Sequence, residues 1–112
     1  MWGYRTTDCL MKLESDIATS YSLLNDPKPE GIKAEKASGG AVKAFNVDLN
    51  ITIDLAKIPV GLAVSWILTR IAVKSRSKIK VNGQLLPPDE AGAIKMITDA
   101  IEEEQQKKRK SN

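Results

Sequence analysis

Histidine is absent from the chain, and cysteine occurs only once, as Cys9. Without histidine the sequence lacks the commonest general base and the commonest zinc ligand, so the usual nucleophile triad cannot be built. A single thiol cannot form an internal disulfide, which excludes a small secreted fold held by disulfides. We therefore expect a reducing, cytoplasmic setting in which Cys9 is a small buried side chain.

Long apolar runs and phosphate-binding loops are also missing. The longest uncharged stretch, residues 58–69, is much shorter than the roughly 20 residues that cross a bilayer, and the N-terminal residues lack the apolar run of a signal peptide. Gly39-Gly40 is not followed by Gly-Lys-Ser/Thr, and no Gly-x-Gly-x-x-Gly occurs. We expect a non-enzymatic protein with no membrane span, no cofactor and no metal.

The clearest pattern is a strict alternation over residues 45–55. Apolar residues occupy the odd positions from Phe45 to Leu55, and polar residues occupy the even positions between them. A period of two predicts a long β-strand with one dry and one wet face, which favours an antiparallel sheet. Gly39-Gly40 is a plausible hairpin turn that would join this strand to a weaker one at 32–38, and whether 32–38 is a strand stays open.

Spacings of three and four predict helices on either side of this strand. The first is expected over 7–24, where the apolar stripe is Leu10, Leu13, Ile17, Tyr21 and Leu24. A second, over 59–73, is apolar on almost every side, so it must lie at the centre of the fold or be shared with another chain. A third starts at 87–90 and continues past residue 105.

A short hairpin is predicted between the second and third helices. Asn82-Gly83 supplies the two residues of a type I′ turn, in which both central positions have positive φ. The whole chain, 1–112, is then one α+β domain: a small antiparallel sheet of about four strands, with 45–55 as the long central one, packed against about three helices. Residues 1–6 and 107–112 are expected to fray.

Positive charge is concentrated in the middle of the chain. Residues 57–86 carry six cations and no acid, five of them in the basic segment 70–80: Arg70, Lys74, Arg76, Lys78 and Lys80. If this segment is extended, its cations form a row that could follow nucleic-acid phosphates or an acidic partner. The alternative is that they only keep an edge strand soluble.

Two further groups of residues are candidates for binding. Trp2, Tyr4 and Trp66 could anchor an interface, since tryptophan and tyrosine are enriched at binding hot spots, although for Trp66 a place in the core is the favoured interpretation. Asp48 and Asp54 share the wet face of the long strand but lie roughly 20 Å apart at about 3.3 Å per residue, too far to share a metal ion.

These observations predict a small protein-interaction module that binds a partner stoichiometrically, as inhibitors, immunity proteins and adaptors do. Self-association is part of this hypothesis. The alternative is a nucleic-acid-binding protein that uses the basic segment 70–80.

Overall fold

A computed structural model describes residues 8–37, 46–71 and 73–110, and it gives the predicted α+β fold. Five strands form one antiparallel sheet in the order β2-β3-β1-β4-β5. The elements in chain order are β1 (Asp8–Asp16), α1 (Ile17–Asn25), β2 (Ile32–Lys36), β3 (Asn46–Asp54), α2 (Val60–Thr69), a 3₁₀ helix (Val73–Lys78), β4 (Lys80–Val81), β5 (Gln84–Leu85) and α3 (Glu90–Lys110). The sheet thus has one strand more than predicted.

The additional strand is β1, and the prediction of a helix over 7–24 was wrong for its first half. Residues 8–16 alternate: Cys9, Met11, Leu13 and Ser15 are buried, and the residues between them are not. Leu10, placed on the buried stripe of the predicted helix, is 40% exposed. Pairing with β3 along the whole length of β1 decides the outcome, because it buries the odd-numbered side chains of both strands in one core.

The remainder of that segment is helical, because α1 begins only at Ile17. Asp16 is the N-cap, and its side chain accepts a hydrogen bond from the N–H of Thr19. Leu23 is fully buried, whereas Ile17 and Tyr21, expected in the core, are exposed. Cys9 is buried as predicted, although it lies in a strand.

The strand predicted at 45–55 is confirmed as β3, which pairs with β2 on one side and β1 on the other. Its odd-numbered residues from Val47 to Ile53 are buried, and its even-numbered residues are half-buried. Residues 32–36 form β2, so the open question about 32–38 is answered in favour of a strand. The predicted Gly39-Gly40 turn lies outside the described residues, as does Phe45.

All three helices bury side chains against the odd-numbered face of β1 and β3. Ser15 on this face bonds to Ser20 of α1, and the buried residues of α2 and α3 belong to the same apolar cluster. From α2 these are Ala63, Val64, Ile67 and Leu68, and from α3 they are Ala93, Ile97 and Ile101. The outward side of α2 is small or polar except for Leu62, so within the described residues the fold itself covers most of this helix.

The Asn82-Gly83 hairpin is confirmed. Lys80 and Val81 pair with Leu85 and Gln84, and the two turn residues have φ values of 51° and 85°. After it, α3 starts at Glu90, with the Asp89 side chain accepting a hydrogen bond from the N–H of Gly92 at 2.7 Å. No helix in the described ranges is long and apolar enough to cross a membrane.

Candidate binding surfaces

One edge of β1 is only partly covered by another strand. On the side away from β3, the β1–β4 ladder contains two pairs, Leu13↔Val81 and Glu14↔Lys80. Beyond these two pairs, none of the described strands continues the row of β4 beside Leu10. We call this side of Leu10 the open edge.

The last contacts of the ladder fix the direction of the backbone groups at this edge. The N–H and C=O of Lys12 both point toward the hairpin, where Asn82 bonds to each of them. Backbone groups in a strand alternate in direction, so the N–H and C=O of Leu10 point the same way, into the vacant row. No described strand pairs with Leu10 on that side.

Helix α3 turns the open edge into a groove, the β1–α3 groove, of about 700 Å³. Leu10 and Lys12 line one wall, the hairpin closes one end, and α3 lines the other wall. The side chains of Met96 and Ala100 give that wall an apolar strip, since both pack partly against the core. A groove between a strand edge and an amphipathic helix has the shape that accepts an extended chain.

The charged residues of the groove are mainly on the α3 wall. Lys95 and Asp99 pair at 3.0 Å and are four residues apart. Glu103 and Glu104 also line the groove, and neither carboxylate has an ion-pair partner among the described side chains. Lys107 also lines this wall, which therefore carries three acids and two cations and has a net charge of −1.

The basic segment 70–80 does not form the extended row that its spacing suggested. Residues 73–78 form a 3₁₀ helix, which breaks the period of two, and only Lys80 belongs to a strand. Lys74, Lys78 and Lys80 are exposed. Lys80 stands opposite Glu14 of β1, and β1 lies between β4 and β3, so the strand that carries Lys80 does not neighbour the strand that carries Asp48 and Asp54.

Arg76 of this segment is buried. It is 5% exposed, and its Nη1 donates a hydrogen bond to Oε1 of Glu90 at 2.7 Å. Its Nε has no hydrogen-bond partner among the described residues. Arg76 also lines a cavity of about 230 Å³ between α2 and α3, the α2–α3 cleft. A permanently charged guanidinium in the interior with one carboxylate bond is incompletely compensated.

Arg70 and Trp66 form a second cluster, at the loop after α1. The indole N–H of Trp66 donates to the carbonyl of Pro27 at 3.2 Å, and the guanidinium of Arg70 lies 4.8 Å from the ring centroid. Nε of Arg70 is 2.9 Å from the carboxylate of Asp26, but the N–H is not aligned for a hydrogen bond, so the contact is an ion pair. Trp66 is half-buried, and its hydrogen bond to Pro27 connects this loop to α2.

The remaining sequence candidates are Trp2 and Tyr4, together with Asp48 and Asp54. Trp2 and Tyr4 lie outside the described residues. Asp48 and Asp54 lie six positions apart on the wet face of β3, and the described residues contain no group of three potential metal ligands.

Sequence reasoning missed the open edge, Glu103 with Glu104, and the burial of Arg76. The period of two in residues 8–16 was the available signal for the edge, but which side of a strand stays unpaired depends on the sheet order. Burial of Arg76 had no signal beyond its place among other cations.

No protein-family model, curated protein or solved structure matches this chain.

Proposed function

We propose that this chain is a non-enzymatic, cytoplasmic protein-interaction module that binds an extended segment of a partner protein in the β1–α3 groove. The segment adds to the sheet as a strand beside β1, in the row that β4 begins. The observation that carries this proposal is the direction of the Leu10 N–H and C=O, which face the vacant row with no described strand to pair them. Main-chain hydrogen bonds then provide affinity, and side-chain contacts on α3 provide specificity.

The groove is better suited to a single strand than to a second copy of the chain. In a two-fold dimer paired edge to edge, the α3 of each copy would approach the face of the other copy's β1 that is covered by a helix. That space is already occupied, since α3 packs against β1 in its own fold. An isolated extended segment brings no helix of its own, so it meets no such clash.

The walls of the groove indicate the chemistry of the segment. Side chains in a strand alternate, so every second residue of the added strand faces Met96 and Ala100 and should be apolar. Glu103 and Glu104 favour a lysine or arginine near that end of the segment. We therefore expect a segment with alternating apolar residues and at least one cation, bound stoichiometrically in the manner of an inhibitor or adaptor.

A panel of heptapeptides selected from a randomised display library provides the probe. The selected peptides are resynthesised with a fluorophore, and their affinity is measured by fluorescence anisotropy. Strand addition predicts that methylating the backbone nitrogen of alternate peptide residues abolishes binding, while methylating the others does not. It also predicts that the Leu10 amide exchanges quickly in the free protein and slowly in the complex.

Two variants at one position separate backbone pairing from side-chain contact. Leu10→Pro removes the N–H that faces the vacant row, and proline is tolerated on an edge because no internal ladder bond is lost. Leu10→Ala keeps that N–H and removes only the side chain. Binding should be lost in Leu10→Pro and largely retained in Leu10→Ala. Equal affinities for the two folded variants would contradict strand addition.

The nucleic-acid alternative and self-association stay predictions. Because Arg76 is buried, the exposed cations to reverse are Lys74 and Lys78, and oligonucleotide anisotropy at low and moderate salt should then show weaker binding for all sequences alike. Unchanged affinity in Lys74→Glu/Lys78→Glu would rule out this use of the segment. Sedimentation equilibrium checks the oligomeric state.

A further inference from the structure

The α2–α3 cleft contains a positive charge that the fold itself only partly neutralises. Arg76 is almost completely buried, and one carboxylate oxygen of Glu90 is the only hydrogen-bond acceptor that the described residues offer to its guanidinium. The Glu90 side chain is 65% exposed, so it lies at the mouth of the cleft rather than inside it. A charged group that is desolvated to this extent is stabilised by any anion that reaches it.

The walls of the cleft define which anion fits. Val64 and Ile94 contribute apolar surface, and Ser65 and Thr98 contribute hydroxyl groups, around a volume of about 230 Å³. This space is small and mostly apolar, and the guanidinium is the only cation among the described residues that line it. It therefore suits a short aliphatic group that ends in one negative charge.

A monoanionic carboxylate matches the cleft better than phosphate does. Glu90 already shows that a carboxylate can bond to Arg76, since its oxygen lies at 2.7 Å, the distance of a charge-assisted hydrogen bond. A doubly charged phosphate would bring two negative charges to one cation, so its second charge would stay uncompensated. We infer that the α2–α3 cleft is a binding site for a carboxylate with a short aliphatic tail, anchored by Arg76 in exchange for Glu90.

This site is independent of the β1–α3 groove. Ile94 and Thr98 lie on one flank of the buried stripe of α3, and Met96 and Ala100 lie on the other. The carboxylate could belong to a free small acid or to the C-terminus of a polypeptide, and both present the same chemistry to Arg76. The two sites can therefore be tested separately in the same protein.

The test uses ¹⁵N-labelled protein titrated with isovalerate, and with isovaleramide as the neutral control of the same shape. Nuclear magnetic resonance follows the Arg76 Nε–H signal and the amides of Ser65 and Thr98. We expect isovalerate to shift these signals saturably and isovaleramide to leave them unchanged. Equal shifts with the two compounds, no shift with isovalerate, or tighter binding of inorganic phosphate would overturn the proposal.

Variants that leave Arg76 in place test the exchange with Glu90. Glu90→Ala removes the internal competitor and should tighten isovalerate binding several-fold, whereas Glu102→Ala, an exposed α3 position with the same charge change, should not. Ser65→Leu narrows the cleft from an exposed helical position and should weaken binding. Unchanged affinity in folded Glu90→Ala would contradict the exchange with Arg76.

Two peptides distinguish the sources of the carboxylate. N-acetyl-Gly-Leu with a free C-terminus is compared with its C-terminal amide. Tighter binding of the free acid than of isovalerate supports a polypeptide C-terminus as the ligand, and weaker binding supports a free small acid. Binding of the amide as tightly as the acid would overturn the site as a carboxylate site.

Discussion

Asn82 forms two hydrogen bonds with the backbone of Lys12 and is the donor in one and the acceptor in the other. Its backbone N–H donates to the Lys12 carbonyl at 2.8 Å, and its side-chain Oδ1 accepts from the Lys12 N–H at 2.9 Å. The side chain thus replaces a strand carbonyl at the last position of the β1–β4 ladder. The chain turns away at Gly83, which leaves the next outward-facing residue of β1, Leu10, without a described strand beside it.

Substitutions at Asn82 should separate this hydrogen bond from the conformation of the turn. Asn82→Gly keeps the positive φ accessible and loses only the side-chain acceptor, so it should reduce the free energy of unfolding by up to about 1 kcal/mol. Asn82→Ala loses the same bond and also puts an alanine in the left-handed region, which costs roughly 1–2 kcal/mol more. Urea denaturation measures both. An alanine variant no less stable than the glycine variant would contradict the turn geometry.

Two glycines with positive φ should respond very differently to alanine. At Gly83 an added Cβ meets open space, so only the backbone strain of roughly 1–2 kcal/mol is expected. At Gly31, where φ is 105°, the added Cβ would lie 2.7 Å from Cγ2 of Ile58 and 3.2 Å from the carbonyl oxygen of Asp54. In Gly31→Ala the backbone strain and the overpacking, each about 1–3 kcal/mol, therefore both reduce the free energy of unfolding.

The measurement is a comparison of urea midpoints for Gly31→Ala and Gly83→Ala, with Gly61→Ala as a third variant. Gly61 lies on the outward side of α2 with nothing near its Cβ position, so alanine there should stabilise by up to about 1 kcal/mol. Equal losses of stability in Gly31→Ala and Gly83→Ala would show that the Ile58 side chain moves away from the new Cβ without cost.

Much of the fold could be predicted from local patterns because those patterns reflect burial on one face. The alternation of β3 and the Asn82-Gly83 turn each require a particular local structure, and both are present. Residues 8–16 carry two overlapping patterns, since Leu10 and Leu13 fit a helix while Met11 and Leu13 fit a strand. Only the pairing of β1 with β3, whose partner residues lie 30 to 46 positions apart along the chain, decides between them.

The candidate sites were less accessible to sequence reasoning than the fold. Whether Leu10 faces a neighbour depends on the order of the strands, and no local pattern contains that order. Arg76 was predicted as one of a row of cations, but the 3₁₀ helix points it inward while Lys74 and Lys78 stay exposed. This short helix thus divides one charge cluster into a buried guanidinium and two surface lysines.

The buried pair of hydroxyls in Ser15 and Ser20 should show strong energetic coupling. Their oxygens are 2.6 Å apart, and both side chains are shielded from water. Ser15→Ala or Ser20→Ala leaves the other hydroxyl without this partner, at a cost of about 1–3 kcal/mol. The double variant removes both polar groups, so it should lose less stability than the two single variants together.

A double-mutant cycle in urea measures this coupling, and Ser65→Ala, at an exposed position of α2, is the control that should change stability little. Additive losses for the pair would mean that water or another group satisfies each hydroxyl when its partner is removed.

Alanine substitutions at two adjacent positions of β1 should distinguish the strand from the helix that spacing predicted there. Met11 is 1% exposed and faces the core, so Met11→Ala should reduce the free energy of unfolding by about 2–5 kcal/mol. Leu10 lies on the opposite face and is 40% exposed, so Leu10→Ala should cost less than about 1 kcal/mol. A helix over 7–24 would give the reverse order, because Leu10 lies on its apolar stripe and Met11 does not. Chemical denaturation with both fluorescence and circular dichroism decides between them, and a larger loss in Leu10→Ala would contradict the pairing of β1 with β3 on which the proposed strand-binding edge depends.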